Sequence, residues 1–101
     1  MQKTKIFLSM PMKGLTKEQI KDRFEKVNAK LYSIYGDKFE IIDSINPNYT
    51  SDNPIKCLAF SIEKLSEADI VCFCDGWEEA RGCKIEHDIA TAYGKKVKYI
   101  G

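Results

Sequence analysis

The chain has 101 residues, enough for one domain and too few for two. Its 44% hydrophobic and 31% charged residues are ordinary for a globular protein in water, and a formal net charge of +1 supplies no field to draw a nucleic-acid polymer or a membrane surface. No stretch approaches the ~20 apolar residues of a membrane helix. The N-terminus carries no secretory pattern, and Cys57, Cys72, Cys74 and Cys83 are too sparse for a disulfide scaffold. A cytoplasmic protein with reduced thiols is expected.

Lys5 to Leu8 is the first strand, because its continuous apolar run suits a strand covered on both faces. The loop Ser9 to Gly14 follows. Thr16 is placed to cap the first helix, with Gln19 three residues on in a capping box and Leu15 spaced to staple onto Ile20. Ile20, Phe24, Val27, Leu31 and Ile34 form one apolar stripe, and Gly36 ends the helix. Phe39 to Ile42 is short and carries Glu40, which marks an edge strand. A polar loop from Asp43 ends at Asn53-Pro54, a cap followed by proline in the first helical position. The second helix carries Ile55, Leu58, Ala59, Ile62 and Leu65 on one face. Ile70 to Cys74 is an uninterrupted apolar run, the centre of the sheet, with Cys72 and Cys74 facing one side. The third helix runs from Arg81 to Tyr93, with Ile85, Ile89 and Ala92 expected inward and Gly94 as its stop. Val97 to Ile100 is the last strand, and Lys95, Lys96 and Lys98 around it read as solvated.

Alternating strands and helices imply parallel pairing. The expected fold is a three-layer, flavodoxin- or Rossmann-like α/β domain over residues 1–101, with a four-stranded sheet in the order two-one-three-four and helices on both faces. In such a sheet, ligands bind beyond the carboxyl ends of the strands where the strand order reverses, here between strands one and three. The loops Ser9 to Gly14 and Asp75 to Gly82 meet there. Gly14, Gly76 and Gly82 allow close backbone approach. Arg81 suits a phosphate or carboxylate, and the start of the third helix suits an anion. Glu86, early on that helix and expected to stay ionised beside its positive end, is a candidate nucleophile facing a cavity under the first loop. Trp77 reads either as a base-stacking ring or as the lid of a core edge.

These residues resemble a known family. Ile6-Phe7-Leu8-Ser9-Met10-Pro11-Met12-Lys13-Gly14 is similar to the first strand and loop of the nucleoside 2-deoxyribosyltransferase-like superfamily. Ala68-Asp69-Ile70-Val71, Gly76-Trp77 and Gly82-Cys83-Lys84-Ile85-Glu86, followed by Ala90 and Gly94, are similar to its second half. The resemblance spans nearly the whole chain. It implies cleavage or transfer of the N-glycosidic bond of a 2-deoxynucleoside or its monophosphate. A glutamate attacks the anomeric carbon, and water or another base then receives the sugar. By position Glu86 matches that glutamate. Ser9, Met10, Pro11, Met12 and Gly14 match the loop that holds sugar and base, with Gly76, Trp77, Arg81 and Gly82 completing the pocket. Asp75 is the nearest candidate for the acid that protonates the leaving base. The resemblance also implies a homo-oligomer and a nucleoside or nucleotide as small-molecule partner; no cofactor and no metal are expected.

Two positions depart from that pattern. Ser61 stands where transferases carry an aspartate, and Ala80 where a polar ligand-binding residue is frequent. They favour the alternative of a non-catalytic nucleotide-binding or oligomerising module. Cys83 and His87 have a chelating spacing, yet zinc needs two further ligands that no recognisable spacing supplies. Phosphate-loop and dinucleotide fingerprints are absent.

Overall fold

The apolar runs become strands and the capped stripes become helices in a computed structural model, which describes residues 3–11, 14–42 and 53–100. The order is β1 (Thr4–Ser9), α1 (Lys17–Tyr35), β2 (Phe39–Ile41), α2 (Pro54–Leu65), β3 (Ile70–Cys74), a 3-10 turn (Trp77–Glu79), α3 (Arg81–Ala92) and β4 (Lys96–Ile100). The four strands form one parallel sheet in the order β2-β1-β3-β4. Both predicted caps are present. Thr16 Oγ1 accepts from the Gln19 amide while the Gln19 side chain accepts from the Thr16 amide, and Asn53 Oδ1 accepts from the Lys56 amide beside Pro54. The loop segment 43–52 lies outside the described residues.

The period-two alternation of β1 and β3 builds two separate cores. Ile6, Leu8, Ile70, Cys72 and Cys74 face α1 and close on Val27 and Leu31. Phe7, Val71 and Phe73 point to the opposite side and close on Leu65, Ala68 and Ala90 from α2, α3 and the turn between α2 and β3. Helices therefore cover both faces. Each fully buried Phe, Ile or Leu contributes about 1.5–3 kcal/mol through water removed from its surface. At the amino ends, the Asp69 carboxylate accepts from the Lys5 amide at 2.8 Å, tying β1 to the residue before β3.

Three expectations about side-chain direction are corrected. On α3 the sheet takes Cys83, Glu86 and Ala90, while Ile85 is exposed and Ala92 solvated. The strand residues beneath α3 are the bulky Phe7 and Phe73, so the helix turns its small side chains inward and leaves Ile89 on the margin. On α2 only Leu65 is buried, and Ile55 is 78% exposed. Phe24 and Ile34 of the α1 stripe are also exposed, because one helix spans that face. Two of the three C-terminal lysines are held: Lys95 Nζ donates to the Ser66 and Ala68 carbonyls at 2.8 Å each, and the Lys98 ammonium lies 4.9 Å over the Tyr35 ring. No helix among the described residues is long and apolar enough to cross a membrane.

Candidate active site

Strand parity and register place the site. Ser9 ends β1 on the same side as Phe7, which is the side α3 covers. Across the sheet Ser9 pairs with Phe73 and Phe73 pairs with Tyr99, so these three share one row at the carboxyl ends of β1, β3 and β4. Glu86 descends from the second turn of α3 onto Ser9. Ser9 Oγ donates to Glu86 Oε1 at 3.2 Å, and the two residues are 2% and 7% exposed.

A carboxylate so buried is expensive to ionise. Burial pushes the Glu86 pKa up to about 7, against the opposing pull of the Ser9 hydroxyl. The expectation that the helix end keeps it ionised is thus corrected. Glu86 is the sixth residue of α3, and the helix-end field falls off within the first turn. Nor does a cation offset the burial. The ion pairs among the described residues, Asp22–Lys26 and Lys64–Glu67, lie elsewhere, and Arg81 at the start of α3 is exposed.

The nearby thiols are poorly placed to compete with Glu86 as nucleophiles. Cys74, hydrogen-bonded to Cys72 and buried, is held far above the ordinary thiol value. Cys72 is lowered by the same bond, but its side chain is wholly enclosed. Burial raises the Cys83 thiol despite its contact with Ser9. Cys72, Cys74 and Cys83 are not disulfide-bonded. No group of three or more His, Cys, Asp or Glu side chains among the described residues is arranged to hold a metal ion.

An open recess of about 430 Å³ lies at the ends of β3 and β4. Phe73, Asp75, Gly76, Trp77, Glu78 and Tyr99 line it, with Cys74 and Ile100. Neither Glu86 nor any residue of the Ser9 to Gly14 loop is among its lining residues, so the recess is not the cavity under the first loop that Glu86 was expected to face. Trp77 closes the core edge. It packs on Phe73 at 5.3 Å between ring centroids and stacks on His87 at 4.2 Å and 20°. His87 Nε2 shares a 2.7 Å hydrogen bond with the Tyr99 hydroxyl.

The remaining predicted residues divide. Asp75 is exposed on the recess rim. Gly76, at φ +87°, makes the turn out of β3, and a Cβ there would lie 3.5 Å from Pro11 Cγ, so the two loops touch. Gly14, at φ +82°, is open to solvent on its Cβ side. Met10 points away from Ser9 and packs on the α1-side core. Gly82 faces Leu58 of α2 rather than the recess. Met12 lies outside the described residues. Tyr99 and Phe73 belong to the site and were not anticipated. The signal for them is register: once the strand order is known, Tyr99 falls in the row of Ser9.

No match is found among curated proteins. Residues 4–99 match the family described as a domain of unknown function (DUF4406), and the chain belongs to that family.

Proposed function

We propose that the chain cleaves or transfers the N-glycosidic bond of a 2-deoxynucleoside or nucleoside monophosphate, with Glu86 as the nucleophile. One observation carries the reading: a glutamate buried at the β1/β3 switch point and held by a serine hydroxyl. A buried carboxylate with one partner is costly for stability, which is the usual signature of a functional group. In the ionised form Glu86 attacks C1′. A C1′–O bond forms as the C1′–N bond breaks, and the bond's electron pair leaves on the base. Water or a second base then displaces the glutamate. The recess offers aromatic faces for a base at Trp77 and Tyr99.

The experiment is incubation with a panel of 2′-deoxynucleosides and their 5′-monophosphates, followed by chromatography for free base. Release by the wild type that is abolished in Glu86→Gln supports the proposal. No release from any member, or equal release by the variant, rejects it. Since Glu86 must lose its proton to attack, kcat/KM should fall as pH drops below about 7.

A non-catalytic nucleotide-binding or oligomerising module is the second reading. It draws on Glu86 standing outside the recess lining and on the exposed Ile55 of α2, an apolar surface that self-association would cover. Stabilisation by nucleotides without turnover, or a dimer by light scattering whose dissociation leaves ligand binding unchanged, favours it.

A further inference from the structure

We propose that Tyr99, backed by His87, hands the departing base its proton; this rests on the glycosidic reading above. Bases leave as poor anions, so N-glycosidic cleavage needs an acid on the leaving side. Asp75 is exposed on the rim and has no hydrogen bond among the described residues to aim it. Tyr99 is better placed. It is 60% exposed, lines the recess, and holds its hydroxyl 2.7 Å from His87 Nε2.

The imidazole is itself fixed in direction. Trp77 stacks on one face at 4.2 Å, and Phe73 meets the ring in a T-shaped contact at 4.9 Å. Glu86 and His87 are adjacent on α3 and diverge by ~100° around the helix, so they cannot converge on one ligand directly. The row Ser9–Phe73–Tyr99 resolves that divergence. Glu86 descends onto Ser9 at one end, and His87 reaches over Phe73 to Tyr99 at the other. Ser9 and Tyr99 stand two strand spacings apart, about 10 Å. Phe73 itself is fully buried beneath Trp77 and His87, so a nucleoside would enter from the recess at the open end of this row, with its base toward Tyr99 and its sugar toward the Ser9 end.

The proton balance closes. As the C1′–N electron pair moves onto the base, a base nitrogen takes the Tyr99 hydroxyl proton. Tyr99 recovers a proton from Nε2 of protonated His87. When water later cleaves the glutamyl ester, Glu86 departs as carboxylate and the water's surplus proton returns to His87. Tyr99 is the catalytic residue because it touches the base. His87 is a positioning residue that acts through it.

The test compares 2′-deoxyguanosine with its 7-methyl derivative, whose base already carries a positive charge and departs without a proton. Tyr99→Phe and His87→Gln should each lose about 100-fold or more in kcat on 2′-deoxyguanosine but less than about threefold on the methylated substrate. The double variant should be no worse than Tyr99→Phe alone, as expected of groups acting as a unit. Emission from Trp77, the single tryptophan, reports whether each variant is folded. A variant that slows both substrates equally shows a structural role and overturns the proposal, as does one that slows neither. A wild type active only on the methylated nucleoside also overturns it while leaving the glycosidic reading standing. A wild type inactive on both overturns this proposal, and the glycosidic reading falls with it only where the whole panel of nucleosides and monophosphates releases no base.

Discussion

The two faces of this sheet are built from alternate residues of the same strands and end differently. Toward α1, β1 and β3 present Ile6, Leu8, Ile70, Cys72 and Cys74 along their full length, and the core is apolar to the carboxyl end. Toward α2 and α3 the same strands begin as Phe7 and Val71, then reach Ser9 and Phe73, over which α3 lays Glu86 and His87. One face has only packing to satisfy. The other interrupts its packing with a carboxyl largely withdrawn from water, and does so where parallel sheets place ligand sites. Fold and candidate function thus separate by strand parity, a period of two in sequence.

The largest expected difference is catalytic. If the polar face carries the reaction, Glu86→Gln removes the attacking oxygen while keeping size and the Ser9 contact, and base release should fall on the order of 10³-fold or more. The apolar face answers only in stability. Leu31, almost fully buried under the sheet, should cost about 3 kcal/mol when cut to alanine, by lost transfer energy and the cavity left behind. Base-release assays and chemical denaturation of the two variants side by side measure the two effects. Loss of activity in folded Leu31→Ala would break the separation.

The next effect has the opposite sign. Glu86 titrates near 7 in the folded chain and at an ordinary 4.5 when unfolded. Below about 4.5 both states hold the proton; between the two values only the folded state does; above 7 neither does. The stability contributed by the protonated form is therefore complete at low pH and lost as pH rises through 7. At 1.36 kcal/mol per pH unit, the shift from 4.5 to about 7 makes the ionised side chain cost about 3 kcal/mol at pH 8. Glu86→Gln should then be the more stable protein at pH 8, by a Tm difference of more than about 10 °C that vanishes near pH 4.5. A variant less stable than wild type at pH 8 would mean that burial is not the force acting on this residue.

Local chemistry made much of the fold legible. Ile70–Cys74 appears with the expected bounds because an all-apolar run can only be a covered strand, and Thr16 with Gln19 and Asn53 with Pro54 mark helix starts by contacts within three residues. Direction across layers was harder to read. The Ile85–Ile89 spacing suggests an inward stripe, yet α3 buries Cys83, Glu86 and Ala90, because what it faces is decided by Phe7 and Phe73 on remote strands. Met10 could have been set apart from Ser9 by parity alone, since neighbours at a strand end point to opposite faces. Tyr99 could not be placed from the expected strand order alone, for its tie to the site is the register between β3 and β4.

The smallest expected effect lies where the two loops of the polar end touch. Gly76 leaves β3 at φ +87°, in the left-handed region that a side chain enters at a cost of about 1–2 kcal/mol. A Cβ there would meet Pro11 Cγ at 3.5 Å, an ordinary contact that adds no clash. Gly14 has a like φ of +82° with nothing within 4 Å of such a Cβ. Alanine at either position should therefore cost about 1–2 kcal/mol from the backbone alone, a Tm fall of at least about 4–8 °C. A clearly greater loss at position 76 than at 14 would show that the loop after β3 is clamped against the loop after β1, and that the polar end of the sheet is as tightly packed as the apolar one. Equal losses would leave the two loops as neighbours that a ligand can part.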